Sequence, residues 1–256
     1  MTDEPNHPMP LVPAGEMAPC ARRVRGVLGA TTIFDTTRAR YVWEFPPYPQ
    51  YYIPLEDIAD GVLVDEDHPQ QLKRGLARRY GLRAGAVERP AGVRVYGPDA
   101  DAAVAGHARF EWDALDAWYE EDEQIFVHPR NPYVRVDALR SRRVVRVELD
   151  GVVLAESDAP VLVFETGLPA RTYFDRTAVA FEHLQHTDTQ TKCPYKGTTS
   201  DYWTCGLGTD RRDIAWSYNF PTAALLPITG LVAFFDERVD TYVDGELQER
   251  PHTPYS

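Results

Sequence analysis

Residues 192–197 read Lys-Cys-Pro-Tyr-Lys-Gly and place a thiol, a phenol and two amines side by side. Cys193 precedes a proline, which biases it toward extended backbone, and two neighbouring lysines favour the nucleophilic thiolate form of a cysteine. Lys196 can hold a carboxylate or phosphate as a cation, or form a Schiff base if it is desolvated. The string therefore predicts nucleophilic chemistry or anion binding. A small buried cysteine beside a solvated lysine turn is the plainer alternative.

Glu165 supplies a carboxylate at the end of an apolar run, directly after Phe164. A carboxylate drawn into a partly buried pocket is suited to acid–base work, although a structural ion pair would place it there equally well. We therefore predict Cys193, Lys196 and Glu165 as catalytic residues. The side chains expected to contact a ligand beside them are Tyr173, Tyr195, Trp216, Tyr218 and Arg238.

Metal and cofactor motifs are weak or missing. His183 and His186 precede Cys193 and Cys205, but their spacing fits no standard zinc ligand set. The Gly-Leu-Gly at residues 206–208 is too short for a dinucleotide fingerprint, and no phosphate-binding loop of the Walker type is present. We expect neither a metal nor a cofactor.

The strands that must position these residues belong to an internal repeat, because one sequence pattern occurs twice along the chain. At one constant offset Trp43 and Glu44 match Phe164 and Glu165, and Tyr52 matches Tyr173. Further along, Trp112 matches Trp216 in the same comparison, whereas residues 192–197 have no counterpart in the first copy. Shared residues are expected to build the fold, so the unshared string is the better candidate for a site.

Both copies carry the signals of antiparallel strands. β-Branched and aromatic residues alternate in short runs, and Asp150-Gly151 between two such runs is a strong hairpin signal. The sequence predicts a mainly β protein with two homologous domains, preceded and followed by tails. The predicted segments are a disordered tail at residues 1–20, a first domain at 21–140, a second at 141–250 and a tail at 251–256.

An insertion is expected in the first domain over about residues 65–105. Within it, Leu72, Leu76 and Tyr80 recur every four residues, which predicts a short helix over residues 69–80. The Gly- and Ala-rich stretch at residues 81–106 indicates a loop, and residues 140–143 are expected to join the domains.

Composition limits the partners. A net charge of −12 disfavours nucleic acid and anionic membranes, and no apolar run approaches the roughly 20 residues that span a bilayer. Three widely spaced cysteines suit a reducing compartment, which favours a cytoplasmic location. A small-molecule ligand is the expected partner, and a homodimer stays open.

Four motifs carry a family resemblance, at residues 165–169, 188–197, 215–218 and 237–240. With them the chain resembles the bacterial and fungal domain-of-unknown-function family 427, in its tandem-domain form, from about Arg22 to Glu249. The resemblance implies small, highly curved antiparallel domains similar to β-tent folds, whose cleft can receive small molecules. The family is also grouped as nucleotidyltransferase-like, but this sequence lacks the Gly-Ser helix start and paired aspartates of that chemistry.

These observations favour a small-molecule-binding protein or enzyme with its site in the second domain. The alternative is a non-catalytic binding or interaction module in which the first domain is a degenerate scaffold. The surface aromatics expected for that alternative are Tyr48, Tyr51, Trp118 and Tyr119. Nucleotidyl transfer is the less favoured third hypothesis.

Overall fold

A computed structural model of the chain describes residues 11–207 and 212–253 and divides it into two compact units. The first unit is Leu11–Asn131, and the second begins at Pro132. The predicted tail residues 1–10 and 254–256 lie outside the described residues.

The first unit is built from eleven strands in two antiparallel sheets. Its seven-stranded sheet has the order β1-β4-β5-β9-β8-β7-β6 and its four-stranded sheet the order β11-β10-β2-β3. The strands are β1 (Met17–Pro19), β2 (Val24–Leu28), β3 (Thr31–Thr36), β4 (Arg40–Phe45), β5 (Tyr48–Pro54), β6 (Leu63–Leu72), β7 (Gly75–Ala84), β8 (Val87–Tyr96), β9 (His107–Phe110), β10 (Ala117–Glu120) and β11 (Glu123–Ile125).

The second unit repeats this plan. Its seven-stranded sheet has the order β12-β15-β16-β22-β21-β20-β17 and its four-stranded sheet the order β14-β13-β23-β24, and β18 with β19 forms a small hairpin. The strands are β12 (Val136–Arg140), β13 (Val145–Leu149), β14 (Val152–Ser157), β15 (Val161–Glu165), β16 (Arg171–Phe174), β17 (Leu184–Thr187), β18 (Lys192–Cys193), β19 (Gly197–Thr198), β20 (Asp201–Cys205), β21 (Asp213–Ser217), β22 (Val232–Phe234), β23 (Asp240–Val243) and β24 (Glu246–Leu247).

The described helical segments are short 3-10 helices, at Leu55–Asp57, Trp112–Ala114, Arg176–Ala178, Phe181–His183 and Ala223–Ile228. The prediction of a mainly β protein is confirmed, but the helix expected over residues 69–80 is wrong. That stretch is the β6–β7 hairpin, in which Leu72 pairs with Gly75. A four-residue spacing also puts Leu76 and Tyr80 on one face of β7, whereas Leu72 ends β6 on the other side of the turn. The expected loop at 81–106 is largely strand as well, because β7 and β8 run through it.

Two expected boundaries also change. β1 pairs with β4, so residues 17–19 belong to the first sheet and not to a disordered tail. β12 pairs along its whole length with β15, so the second unit begins before residue 140 and residues 140–143 do not join the domains.

Strand pairing shows which residues of the two units correspond. β4 sets Arg40 opposite Tyr52, and β15 sets Val161 opposite Tyr173 at the same place in the sheet. The match of Tyr52 with Tyr173, and of Glu44 with Glu165, is therefore confirmed.

The match of Trp112 with Trp216 is wrong. β9 occupies the place of β22, and the residue opposite Tyr52 is Arg109, whereas the residue opposite Tyr173 is Ala233. Arg109 therefore corresponds to Ala233, and three residues further along each chain segment Trp112 corresponds to Asp236. Each segment contains an Ala and a Trp, but Trp216 lies within β21, whereas Trp112 begins the 3-10 helix after β9.

Each unit has one core that joins its two sheets and a second on the outer face of the large sheet. Alternation along β5 separates them: Tyr51 and Ile53 lie in the first core and Tyr52 in the second. Tyr51 and Trp118 are only 2% and 3% exposed, so the expectation that they form an aromatic surface is wrong. In the second unit Tyr173 and Tyr218 lie in the outer core, as Tyr52 and Tyr96 do in the first.

Candidate functional site

The β18–β19 hairpin presents the reactive string. Cys193 pairs with Gly197, whose φ of +99° lies in a region that residues with a Cβ rarely adopt. Thr222 holds the turn from outside, because its hydroxyl donates to the Tyr195 carbonyl at 2.7 Å and its amide donates to the Lys196 carbonyl at 3.2 Å. The turn is therefore fixed by a segment distant in sequence.

Lys196 reaches from this turn to the end of β15. Its ammonium contacts the Glu165 carboxylate, and both side chains are about one-tenth exposed. The same Nζ lies 4.0 Å from Cys193 Sγ. Cys193 and Glu165 are partly exposed to solvent, whereas Lys196 is buried. The structure brings the three predicted catalytic residues into one cluster, which we call the Cys–Lys–Glu cluster.

Electrostatics fixes the charge of Lys196. Burial lowers the pKa of its ammonium, but the neighbouring Cys193, Glu165 and Tyr173 outweigh burial and raise the pKa above its ordinary value. Lys196 is therefore a buried cation at neutral pH and not the free amine that a Schiff base requires.

Tyr173 and Trp216 stand behind the cluster. Trp216 Nε1 donates to the Tyr173 hydroxyl at 3.3 Å, and both rings lie in the outer core with Tyr218. Burial raises the pKa of Tyr173 to about 12, against the opposing effect of Lys196. Burial likewise raises the pKa of Tyr218. These rings are neutral, largely buried backing for the cluster.

Arg238 and Tyr195, which were predicted to contact a ligand, make contacts within the protein instead. Arg238 donates to the carbonyl of Asp213, and its guanidinium carbon lies 4.4 Å from the centre of the Phe235 ring. Tyr195 accepts the Thr222 hydrogen bond through its main chain, and its side chain is partly exposed.

The first unit treats the corresponding carboxylate differently. Glu44 contacts Arg109 at 3.2 Å and accepts a hydrogen bond from the Tyr52 hydroxyl at 3.0 Å. Arg109 corresponds to Ala233, so in the second unit no cation comes from that strand position. The residue that pairs with the turn glycine is Leu72 in the first unit and Cys193 in the second.

A charged cluster near Trp216 was missed by sequence reasoning. Arg171 is 8% exposed and bonds Asp236 at 2.8 Å and also Glu237, while its guanidinium carbon lies 5.9 Å from the Trp216 ring centre. Burial raises the pKa of Asp236, although Arg171 opposes the shift. Glu237 is also buried, yet its bonds to Arg171 outweigh burial and lower its pKa. The available signal was the Asp-Glu pair directly after a fully apolar strand.

Within residues 11–207 and 212–253, no three His, Cys, Asp or Glu side chains are grouped as metal ligands. Over the same residues, no helix combines the length and the apolar character needed to cross a bilayer.

Comparison with protein families agrees with the duplicated architecture. No curated protein matches the chain. The model of the domain of unknown function DUF427 matches it twice, at residues 16–121 and 137–245, which correspond to the two structural units. The chain is thus a tandem-domain member of the DUF427 family.

Proposed function

We propose that the second unit binds and transforms a small molecule at the Cys–Lys–Glu cluster. Cys193 is the nucleophile or direct ligand contact, Lys196 the cation that supports it, and Glu165 the acid or base. The observation that carries the proposal is the position of the Lys196 ammonium, in contact with Glu165 and 4.0 Å from a partly exposed thiol.

The charge arrangement supports thiol chemistry over imine chemistry. A cation close to sulfur favours the thiolate, which is the attacking form of cysteine. The raised pKa of Lys196 keeps that cation in place at neutral pH, and the same charge can hold an anionic group of the ligand. Glu165 is positioned to accept or return a proton within the cluster.

The first unit serves as scaffold in this proposal. Its Leu72 stands where Cys193 does, and its Glu44 is paired by Arg109 within the sheet. A cytoplasmic location is part of the proposal, supported by the three free cysteines.

Acyl transfer to the thiol tests the proposal, with p-nitrophenyl acetate as the probe and intact and peptide mass spectrometry as the readout. The thiolate of Cys193 attacks the ester carbonyl, the carbon–oxygen bond breaks, p-nitrophenolate leaves and an acetyl thioester remains. We expect this adduct on Cys193, its loss in Cys193→Ala, and slowing of about tenfold or more in Lys196→Met.

Cys205→Ala is the matched control, because Cys205 is buried in the core and its removal should leave the adduct unchanged. A Cys193 that stays unacetylated, or that reacts equally fast without Lys196, would contradict the enzyme proposal. Either result would favour the non-catalytic binding module instead.

A further inference from the structure

At five corresponding interior positions the first unit carries the larger side chain. Pairing across β4–β5 and β15–β16 fixes three of them, and the strands β10 and β23 with their following turns fix the rest. The corresponding residues are Tyr41 and Leu162, Trp43 and Phe164, Tyr51 and Thr172, Trp112 and Asp236, and Trp118 and Thr241.

A shared contact supports the register of β10 with β23. In the first unit the guanidinium of Arg25 lies 5.1 Å from the Tyr119 ring centre. In the second unit Arg146 lies 4.6 Å from the Tyr242 ring centre. The residue before each tyrosine, Trp118 or Thr241, therefore occupies the same place.

In the first unit aromatic rings fill this part of the interior. Trp112 and Trp118 stack with centres 4.8 Å apart and planes 8° from parallel, and Tyr51 lies 5.8 Å from Trp118. The Trp118 indole N–H donates to the Trp112 carbonyl at 3.0 Å. This space accepts planar rings, and its backbone accepts an indole N–H.

In the second unit the same space is an open groove of about 930 Å³. All five of the smaller residues line it: Leu162, Phe164, Thr172, Asp236 and Thr241. Phe164 is 44% exposed, whereas its counterpart Trp43 is 1% exposed. The groove is therefore where the aromatic part of the core is missing, within the volume range typical of small-molecule sites.

The polar groups of the groove select the ligand. The Asp236 carboxylate accepts from the Thr241 hydroxyl at 2.8 Å and is paired with Arg171 at 2.8 Å. At the rim Arg143 and Arg250 are paired with aspartates, Asp244 at 3.2 Å and Asp240 at 2.8 Å. Since these arginines are paired within the protein, the groove favours a neutral ligand over an anionic one.

We propose that this groove binds a neutral planar aromatic molecule that carries an N–H donor, in the place that Trp112 and Trp118 occupy in the first unit. An apolar cavity made by removing a ring can be refilled by a ring from solution. Leu162 and Phe164 supply the apolar wall, and the backbone and carboxylate of Asp236 supply acceptors where the first unit has the Trp112 carbonyl.

The site does not depend on the thiol chemistry proposed above. Glu165 lines the groove, but Cys193 does not appear in its lining. Binding should therefore be unchanged in Cys193→Ala, which separates failure of this inference from failure of the proposed function.

Titration of the full chain with indole, followed by amide chemical shifts, tests the inference. We expect saturable shifts at Thr172 and Thr241 with a dissociation constant of about 1 mM or tighter. 1-Methylindole, which has lost the N–H, should bind more weakly.

Aromatic side chains placed back in the groove should prevent indole from binding there. Thr241→Trp and Thr172→Tyr restore first-unit side chains, and each should weaken indole binding by about tenfold or more. Val153→Trp adds a ring at an exposed strand position outside the groove and should leave binding unchanged.

Dispersed amide spectra identify the variants that remain folded, and if Thr241→Trp does not fold, Thr172→Tyr decides. The inference is overturned if indole causes no saturable shifts at the groove, or if a folded refilled variant binds it as well as the wild type. Equal binding of 1-methylindole would overturn the N–H requirement.

Discussion

Glu165 shows how one carboxylate, kept in both units, acquires a different chemical setting from a few surrounding residues. In the first unit its counterpart Glu44 is paired by Arg109 from the neighbouring strand. In the second unit that strand position is Ala233, and Lys196 reaches in from a turn to pair the carboxylate. Because Lys196 also lies near Cys193, the change of cation is what brings a charge beside a thiol.

Removing the Lys196 cation should lower the unfolding free energy of the protein. In Lys196→Met the Glu165 side chain, one-tenth exposed, loses its cationic partner, and breaking a buried pair from one side costs about 3–5 kcal/mol. We expect urea unfolding to show a loss of that size. Lys192→Met, at an exposed position of the same hairpin, should change the unfolding free energy by about 0.5 kcal/mol or less. Recovery of stability in Lys196→Met with Glu165→Gln would identify the stranded charge; equal losses for the two lysines would argue against a buried pair.

The raised pKa of Tyr173 should make the unfolding free energy depend on pH in the alkaline range. Burial raises its pKa to about 12, above the value of about 10 for an unfolded tyrosine. The stabilisation is fully present below about pH 10 and is lost as pH rises through about 12, because the unfolded chain releases the proton first. Between pH 9 and pH 11 we expect wild type to lose about 1 kcal/mol more unfolding free energy than Tyr173→Phe. Parallel pH curves for the two proteins would contradict the assigned shift.

At the level of elements, the alternation of β-branched and aromatic residues predicts the strands but not which strands pair with one another. The hairpin at Asp150-Gly151 was readable because its turn chemistry is local, and both residues adopt positive φ. The false helix at residues 69–80 arose because the four-residue spacing of Leu76 and Tyr80 fits a strand face as well as a helix face, and the turn before Gly75 carries no strong turn signal. The cluster itself depends on β15, on the β18–β19 hairpin and on the clamp from Thr222. Only Glu165, Cys193 and Lys196 were identifiable by residue type, and their contact required tertiary structure.

The turn glycine should be essential to this hairpin. In Gly197→Ala a Cβ must be accommodated at a φ of +99°, a strained conformation that costs about 1 kcal/mol or more. We expect lower unfolding free energy and slower Cys193 alkylation, because the turn that holds Lys196 beside the thiol loosens. Gly97→Ala is the control, since Gly97 has open space around it and no positive φ. If the Gly97 and Gly197 variants were equally stable, the turn geometry would not be limiting.

The whole molecule is a duplication in which the copies have diverged in their interiors. Each unit has its own core between its sheets, and the core of the second lacks the ring cluster that completes the first. The repeat was readable from Tyr52 and Tyr173, whereas the partner of Trp112 was not, because strands of different length separate the shared motifs. Divergence in packing, more than in topology, separates a filled unit from one with an open groove.

Independent cores predict independent folding. A fragment of residues 132–256 should unfold cooperatively in urea and keep the Cys193 alkylation rate of the full chain within about twofold. A fragment of residues 11–131 should also fold, and its single thiol, Cys20, should be protected because it is buried. A second-unit fragment that is unfolded, or folded with a markedly different Cys193 rate, would show that the first unit completes the site.

The rate at which iodoacetamide alkylates Cys193 at neutral pH is the most direct test of the central claim, that the Lys196 cation activates this thiol. The control is Leu72→Cys with Cys193→Ala, which puts a thiol at the corresponding hairpin position of the first unit. We expect wild-type Cys193 to react about tenfold faster or more than that control thiol, and Lys196→Met to remove most of the difference. Equal rates for Cys193 in wild type and in a folded Lys196→Met variant would contradict the account.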